Sequence, residues 1–195
     1  YKAFLAGEEK NAAHIFGAHE RTVNGVKGVL FTVWAPKALS VSVVGEFNKY
    51  DGRVHLMERI EDTGVFELFI PGLAAGCGYM YEIKRQGKGT TRKLDPVSRQ
   101  ISSVPITVSV VSDENMPDSY AWNDGLWMIK RKKEAGKKKP VTVYEVSLTD
   151  WMKEKSADEL VDFVKQEGYT HVCFLPVAEY LNEEMNGYST LGYFA

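Results

Sequence analysis

Side chains capable of catalysis are sparse in this sequence and form none of the common catalytic patterns. The histidines at positions 14, 19, 55 and 171 include no pair four residues apart, the spacing of a helical zinc site. Cys77 and Cys173 are 96 positions apart, so they form no zinc knuckle. The sequence also lacks a Gly-x-x-x-x-Gly-Lys phosphate loop and a Gly-x-Ser-x-Gly nucleophile turn. Residue spacing alone therefore predicts no metal, no cofactor and no nucleophile.

Other titratable groups near apolar segments are expected to be structural. His171 opens an apolar strand, and Cys173 within it is expected to be a small buried hydrophobic residue. Glu145, Asp150 and Glu179 lie in or after predicted strands, and Glu179 is expected to orient a loop. No catalytic residue is assigned.

Residues 25–111 are predicted to form a mainly β domain, because apolar and polar side chains alternate with a period of two. Turn signals rich in glycine, proline and asparagine separate the alternating runs, which is typical of an immunoglobulin-like β-sandwich. Residues 1–24 are assigned to an N-terminal lead-in segment, and Trp34 is expected in the sandwich core. The alternating runs are 29–34, 40–43, 65–70, 79–83 and 106–110.

Residues 112–140 change to a polar composition that ends in a basic run. Positions 130–140 hold seven of the 24 basic residues. The rest of the chain then carries 17 basic and 25 acidic residues, a net charge of −8. No aromatic residue is interleaved for base stacking, so we predict a solvated linker and no nucleic-acid partner.

Residues 141–195 are predicted to be the β-α-β start of a (β/α)8 barrel. Apolar strands at 141–146 and 171–176 flank a helix that begins with the capping box of Ser156 and Glu159. Ala157, Leu160, Val161 and Val164 share one face of this helix. One such unit leaves strand edges unpaired, so it is expected to be an incomplete barrel.

Composition and chain ends set further expectations. The chain has 195 residues and a formal net charge of −2, values of an ordinary globular protein. No run approaches the roughly 18 apolar residues of a membrane span, so no membrane partner is predicted. The chain begins at Tyr1 rather than Met and ends at Phe194-Ala195, which predicts a fragment of a longer chain. Two unpaired cysteines predict a cytoplasmic location.

An ordered set of motifs along the whole chain resembles the N-terminal part of bacterial 1,4-α-glucan (glycogen) branching enzymes. The motifs are Phe16 to His19, Phe31 to Pro36, Val41 to Met57, Leu94-Asp95-Pro96, Trp122 to Asp124 with Trp127-Met128, Val143 to Val146 with Trp151, Gly168 to Val172, Leu175 to Val177 with Glu179, Gly187-Tyr188, and Gly192 to Ala195. Each motif alone is weak, whereas their order is specific.

The resemblance implies a glucan-binding sandwich of carbohydrate-binding module family 48, followed by the start of an amylase-superfamily barrel (glycoside hydrolase family 13). It also implies a glycosyltransferase of glycogen biosynthesis, which cleaves α-1,4 bonds and forms α-1,6 bonds by a retaining double displacement. Retention needs two carboxyl groups about 5–5.5 Å apart. In the family these lie on later barrel strands, so this chain is expected to be inactive alone.

Two other functions remain open. The segment Glu145 to Trp151 lacks the His and Gly that are usual in branching enzymes, which leaves a debranching enzyme or a trehalose-releasing hydrolase as an alternative. A non-enzymatic glycogen-binding module is the third possibility. All three imply an α-1,4-glucan (glycogen or starch-like oligosaccharide) as the partner.

The resemblance also implies substrate-binding residues. Tyr50 stands where the family has a sugar-stacking aromatic, usually Trp, with Asn48 and Lys49 nearby as hydrogen-bonding groups. Tyr188 matches the tyrosine that stacks on the sugar next to the scissile bond. Met80 stands where related modules carry a Lys, and no second Trp occurs near residues 87–93. The sandwich is therefore also expected to dock on the catalytic barrel of the full-length protein.

Overall fold

A computed structural model of the chain describes residues 1–103, 105–113, 121–137, 139–181 and 187–195. These residues group into two compact units, one of residues 1–115 with 178–195 and one of residues 116–177. The first unit contains the predicted sandwich. The second contains the predicted β-α-β segment.

The first unit is built from short, mostly antiparallel strands in two sheets. One sheet has the order β1-β2-β5-β4, and the other has the order β3-β6-β9-β8 with β7 also paired to β6. The elements are helix α1 (Lys2–Leu5) and strands β1 (Gly17–Val23), β2 (Val26–Trp34), β3 (Ser40–Val44), β4 (Glu58–Ile60), β5 (Val65–Pro71), β6 (Gly78–Arg85), β7 (Lys88–Lys93), β8 (Ile101–Ser102) and β9 (Val108–Val110).

Alternate side chains of the two sheets meet in one core, as the period-two pattern predicts. Phe31 and Phe66 contribute from the first sheet, and Val43, Tyr79 and Tyr81 from the second. All five side chains are almost fully buried. The mainly β sandwich fold is confirmed.

A carboxyl group is buried beside this core. Asp95 is only 1% exposed, and its Oδ2 accepts hydrogen bonds from the hydroxyls of Tyr79 (2.7 Å) and Tyr81 (3.1 Å). Its Oδ1 accepts the N–H of Val97 at 2.9 Å. These bonds fix the segment after β7 against the centre of the sandwich.

The sandwich begins earlier than the expected boundary at residue 25. Strand β1 pairs with β2 from Gly17↔Thr32 to Val23↔Val26, so residues 17–23 belong to the sheet rather than to the lead-in segment. The turn between them is Asn24-Gly25, both with positive φ (50° and 81°), which is the geometry of a tight hairpin turn.

Trp34 lies outside the core, contrary to expectation, and is 47% exposed. It sits at the end of β2 on the outer face of the sheet. Its ring packs edge-on against Phe4 of α1 at 5.4 Å, and Phe4 packs in the same way against Phe16 at 4.7 Å. The N-terminal segment thus covers part of the outer face.

The second unit contains one parallel strand pair and three helices among its described residues. Strand β10 (Val143–Val146) pairs in parallel with β11 (His171–Phe174), and α4 (Ala157–Gln166) connects them. The capping box at Ser156 and Glu159 is present, as predicted. The remaining helices are α2 (Gly125–Glu134) and α3 (Leu148–Trp151).

Burial in this unit is lower than the sequence predicts. Leu160 and Val164 are buried, but Val161 on the same predicted face is exposed. All of β11 is exposed, including Cys173, which corrects its assignment as a buried residue. A single pair of strands does not form an enclosed core by itself, so these apolar side chains remain open to solvent.

The boundaries of the predicted linker and barrel segments also differ from the division seen in the structure. Helix α2 occupies the first part of the basic run, whose Lys138 lies outside the described residues. Residues 178–195, which the sequence assigns to the barrel segment, group with the first unit.

Candidate functional site

The loop after β3 carries three of the four predicted sugar-binding residues. It leaves the strand at Gly45, forms a 3₁₀ turn at Glu46–Asn48 and continues to Gly52. A Cβ atom at Gly45 would overlap the carbonyl oxygen of Gly78 and the ring of Phe47. Only glycine lets the start of this loop lie so close to β6.

The Asn48 side chain makes its hydrogen bonds within this loop, and its role as a sugar-binding group stays a prediction. Its Oδ1 accepts the N–H of Gly45 at 3.0 Å. Its Nδ2 contacts the carbonyl of Val43 and Nδ1 of His55, both at 2.9 Å. These bonds use both amide hydrogens and one oxygen lone pair inside a buried site, so the Asn48 side chain fixes the turn.

Lys49 and Tyr50 both adopt the left-handed conformation, with φ of 55° and 57°. This conformation costs a non-glycine residue about 1–2 kcal/mol. The N–H of Lys49 donates to Glu46 O at 3.0 Å, and that of Tyr50 donates to Gly45 O at 2.9 Å. The surrounding loop therefore maintains two consecutive unfavourable residues, a pattern that is concentrated at binding sites.

Tyr50 has an arginine beside its ring and is one of the residues that line a cleft. The guanidinium carbon of Arg92 is 5.7 Å from the ring centroid, a cation–π distance. The cleft has a volume of about 370 Å³, within the range of small-ligand sites. Its lining residues are Glu46, Phe47, Tyr50, Gly76, Cys77, Gly78, Ser102, Pro105, Ile106, Val108 and Val110.

The cleft combines an aromatic ring, apolar walls and polar groups at its edge. Phe47, Ile106 and Val108 provide apolar surface, and the exposed Glu46 carboxylate can accept hydrogen bonds. Pyranose sugars present an apolar C–H face and a rim of hydroxyl groups. The cleft therefore offers a sugar ring a complementary surface next to Tyr50.

Lys49 and Tyr188 are exposed, but neither lines the cleft. Tyr188 is 65% exposed and belongs to the segment 178–195. The structure thus brings Asn48, Lys49 and Tyr50 together in one loop and leaves Tyr188 in a separate place.

The segment that carries Tyr188 has its own hydrogen bonds and lies close to the sandwich at Gly192. The N–H of Leu191 donates to Glu179 O at 2.8 Å, and that of Glu179 donates to Ala195 O at 3.1 Å. A Cβ atom at Gly192 would lie 3.0 Å from Cδ1 of Ile101, a buried residue of β8. Gly192 thus allows the segment to approach the sandwich closely.

Two carboxylates, Asp51 in the loop and Asp150 in the second unit, pair with basic side chains, which favours a structural role over acid–base chemistry. Arg53 Nη2 lies 2.6 Å from Asp51 Oδ2, and hydrogen bonds from Arg53 lower the pKa of Asp51 to about 2. Asp150 in the second unit accepts a hydrogen bond from Lys153 at 2.7 Å, which lowers its pKa. Both carboxylates are therefore ionised at neutral pH, which does not suit a general acid.

Sequence reasoning missed several residues of the site. Arg92 lies in β7, which has no apolar residue and therefore no visible alternation. Cys77 and Gly76 come from a segment interpreted only as a turn. The predicted strand at 106–110 starts later, at Val108, which leaves Ile106 free to line the cleft.

Within the described ranges, no group of three His, Cys, Asp or Glu side chains is arranged to hold a metal ion. None of the helices described is long and apolar enough to cross a membrane.

Residues 15–98 match carbohydrate-binding module 48, the isoamylase N-terminal domain. The 1,4-alpha-glucan branching enzyme GlgB of Methylococcus capsulatus is 40% identical over 207 aligned residues, which cover all of this chain and 28% of the relative. The same-named enzyme of Thiobacillus denitrificans is 44% identical and covers 98% of this chain and 27% of the relative.

A solved structure has the same fold over most of the chain. The catalytic module of the pneumococcal virulence factor SpuA matches with a TM-score of 0.57 and 22% identity, over 92% of this chain and 31% of that structure. The chain thus spans little more than a quarter of the curated relatives, and the predicted resemblance to branching enzymes is confirmed at the level of sequence.

Proposed function

We propose that this chain, whose residues 15–98 match the carbohydrate-binding module 48 family, is the N-terminal part of a 1,4-α-glucan branching enzyme. In this proposal the sandwich binds α-1,4-glucan at Tyr50. One observation carries the binding site: Tyr50 is fixed in a left-handed backbone conformation at an apolar cleft.

The reaction itself is proposed for the longer protein. It would cleave an α-1,4 bond, retain the freed segment as a glycosyl-enzyme and transfer it to a 6-hydroxyl group. The nucleophile and the acid–base carboxyl group of this retaining mechanism would lie beyond this chain, and Tyr188 would stack on the sugar next to the scissile bond. A debranching or trehalose-releasing enzyme is the alternative, and product analysis for new α-1,6 linkages would separate the two.

We also propose that the sandwich docks on the catalytic barrel of the longer protein. The segment 178–195 supports this, because it lies against Ile101 of the sandwich although its motifs match the barrel region of the family. The sandwich would then support the loop of Tyr188 as well as bind glucan.

A cytoplasmic location is proposed on the two free cysteines. Cys77 and Cys173 are unpaired, and Cys173 is exposed. Free exposed thiols are typical of proteins in a reducing compartment.

Glucan binding by the sandwich can be tested on the chain itself. We expect glycogen in a native gel to retard the chain, and the Tyr50→Ala variant to lose most of this retardation. Loss of one stacking ring costs about 1 kcal/mol, roughly a fivefold change in affinity. Trp127→Ala, which removes an exposed aromatic ring of α2, is the matched control and should migrate like the wild type. Equal retardation of wild type and Tyr50→Ala would refute the site.

A further inference from the structure

We propose that Arg92 is a positioning residue of the glucan site: it covers one face of the Tyr50 ring and fixes the ring so that the sugar stacks from the cleft side. The inference rests on the proposed function, because it assumes that Tyr50 is the stacking platform. It adds a residue that neither the motifs nor the family match assigns.

Three contacts fix the Arg92 side chain. Its Nη2 donates to the carbonyl oxygen of Tyr50 at 2.8 Å, and its Nε donates to Glu82 Oε2 at 3.1 Å. The guanidinium carbon lies 5.7 Å from the Tyr50 ring centroid. Because the guanidinium group is planar, bonds from two of its nitrogens determine how it lies against the ring.

The sheet provides the base for this arrangement. Glu82 of β6 and Arg92 of β7 are direct cross-strand partners, so the strand register sets their pairing. The loop also approaches Glu82 closely at Gly52, where a Cβ atom would overlap the Glu82 carboxylate. The Arg92 guanidinium is therefore bonded to the loop at Tyr50 and to the sheet at Glu82.

Tyr50 needs such support because of its backbone. Its left-handed conformation is unfavourable for a bulky residue. The N–H of Tyr50 is bonded to Gly45 O within the loop, and its carbonyl is bonded to Arg92 from the neighbouring strand. Arg92 thus completes the hydrogen bonding that keeps Tyr50 in this conformation.

The position of the cleft indicates where a ligand would meet the Tyr50 ring. Tyr50 lines the cleft, whereas Arg92 and Glu82 do not. A sugar that enters next to Phe47 and Ile106 meets the Tyr50 ring without displacing the guanidinium. In this proposal Arg92 covers one face of the Tyr50 ring, so an α-glucan chain would stack on the other face.

Isothermal titration of the 195-residue chain with maltoheptaose tests the inference. We expect Arg92→Ala to weaken binding about fivefold, because the cation–π contact and the hydrogen bond to Tyr50 are both lost. Arg92→Lys should recover part of the loss, since it keeps the charge but not the planar group. Adding Arg92→Ala to Tyr50→Ala should cause no further loss, because Arg92 acts through the ring.

Arg53→Ala is the matched control. Arg53 directly follows the Tyr50 loop and its exposed side chain pairs with Asp51, so its removal should leave affinity within twofold. A second readout is the NMR signal of the Tyr50 ring in tyrosine-labelled chain, which should shift in Arg92→Ala at an unchanged melting temperature. General destabilisation would not move this one ring alone.

The outcomes separate the two proposals. If the wild type fails to bind, or Tyr50→Ala binds equally well, the proposed site is wrong and this inference falls with it. If Tyr50→Ala loses binding while Arg92→Ala stays within twofold, only the inference is overturned. Tighter binding by Arg92→Ala would also overturn it, because the guanidinium would then compete with the sugar for the ring.

Discussion

At the scale of single residues, Asp95 shows how one buried group organises its surroundings. Burial raises its pKa, although hydrogen bonds from Val97, Tyr79 and Tyr81 oppose this shift. The two tyrosine hydroxyls are themselves buried and depend on this carboxyl group. The family motif Leu94-Asp95-Pro96 thus has a structural role in the sandwich.

We expect Asp95→Ala to destabilise the chain by at least about 2 kcal/mol, because a buried hydroxyl without a partner costs about 1–3 kcal/mol. Urea unfolding at neutral pH measures this free energy. In the double variant Tyr79→Phe/Tyr81→Phe, Asp95→Ala should lower the free energy of unfolding clearly less, since no buried hydroxyl then loses its hydrogen-bond partner. An equal cost in both backgrounds would contradict the network.

The raised pKa of Asp95 also predicts a pH dependence with a definite sign. The folded state holds the Asp95 proton more tightly than the unfolded state, so this group's contribution to stability falls as pH rises from its ordinary pKa through the folded one. Asp95→Asn should remove this decline. A wild type and variant whose unfolding free energies change in parallel with pH would contradict it.

The site residues could be predicted only in part from the sequence. The family resemblance points to Tyr50, because related modules have a sugar-stacking aromatic at this place in the loop, and this role stays a prediction. The motif could not show that Asn48 turns its amide inward, since this depends on Val43 and His55 across the loop. The position of Arg92 beside Tyr50 depends on the pairing of β6 with β7, which composition does not reveal.

At the scale of elements, the strands with alternating apolar side chains were predictable from the sequence, and the polar strands were not. Strands β2, β3, β5 and β6 alternate clearly because one face of each packs in the core. Strand β7 is polar throughout, as edge strands often are. The Asn24-Gly25 turn was the available signal for β1, since this dipeptide favours two-residue hairpins.

The parallel strands β10 and β11 should be less protected than the sandwich. Their outer side chains, among them Phe174 at 48% exposure, lack a covering layer. We expect their amides to exchange hydrogen at least about tenfold faster than those of β2 and β5, because little buried apolar surface opposes local opening. Equal protection in a monomeric sample, measured by NMR or mass spectrometry, would contradict this expectation.

At the scale of the whole molecule, the segment 178–195 connects two parts of the sequence that the motifs treat separately. Its contact at Gly192 depends on Ile101, which lies shortly after the Asp95 segment. The segment that carries Tyr188 therefore lies against the sandwich near Ile101. Sequence reasoning could not find this link, because it joins residues about 90 positions apart.

We expect Ile101→Ala to speed hydrogen exchange at the Leu191 amide several-fold, because it removes the side chain against which Gly192 packs. Ile106→Ala is the matched control, an isoleucine of the cleft that does not contact this segment's glycine. Gly192→Val should have an effect similar to Ile101→Ala, and combining the two should restore part of the protection. Unchanged exchange in both single variants would show that the contact does not hold the segment.

The backbone conformation of Lys49 and Tyr50 has a thermodynamic consequence for ligand recognition. The loop already holds its unfavourable dihedral angles in the free chain, and hydrogen bonds and strand register maintain them. Little of its conformational entropy remains to be lost when a ligand arrives. The entropic cost of ordering then falls on the sugar polymer, whose linkages are flexible. The conformation that a glucan prefers in solution would therefore govern its binding affinity.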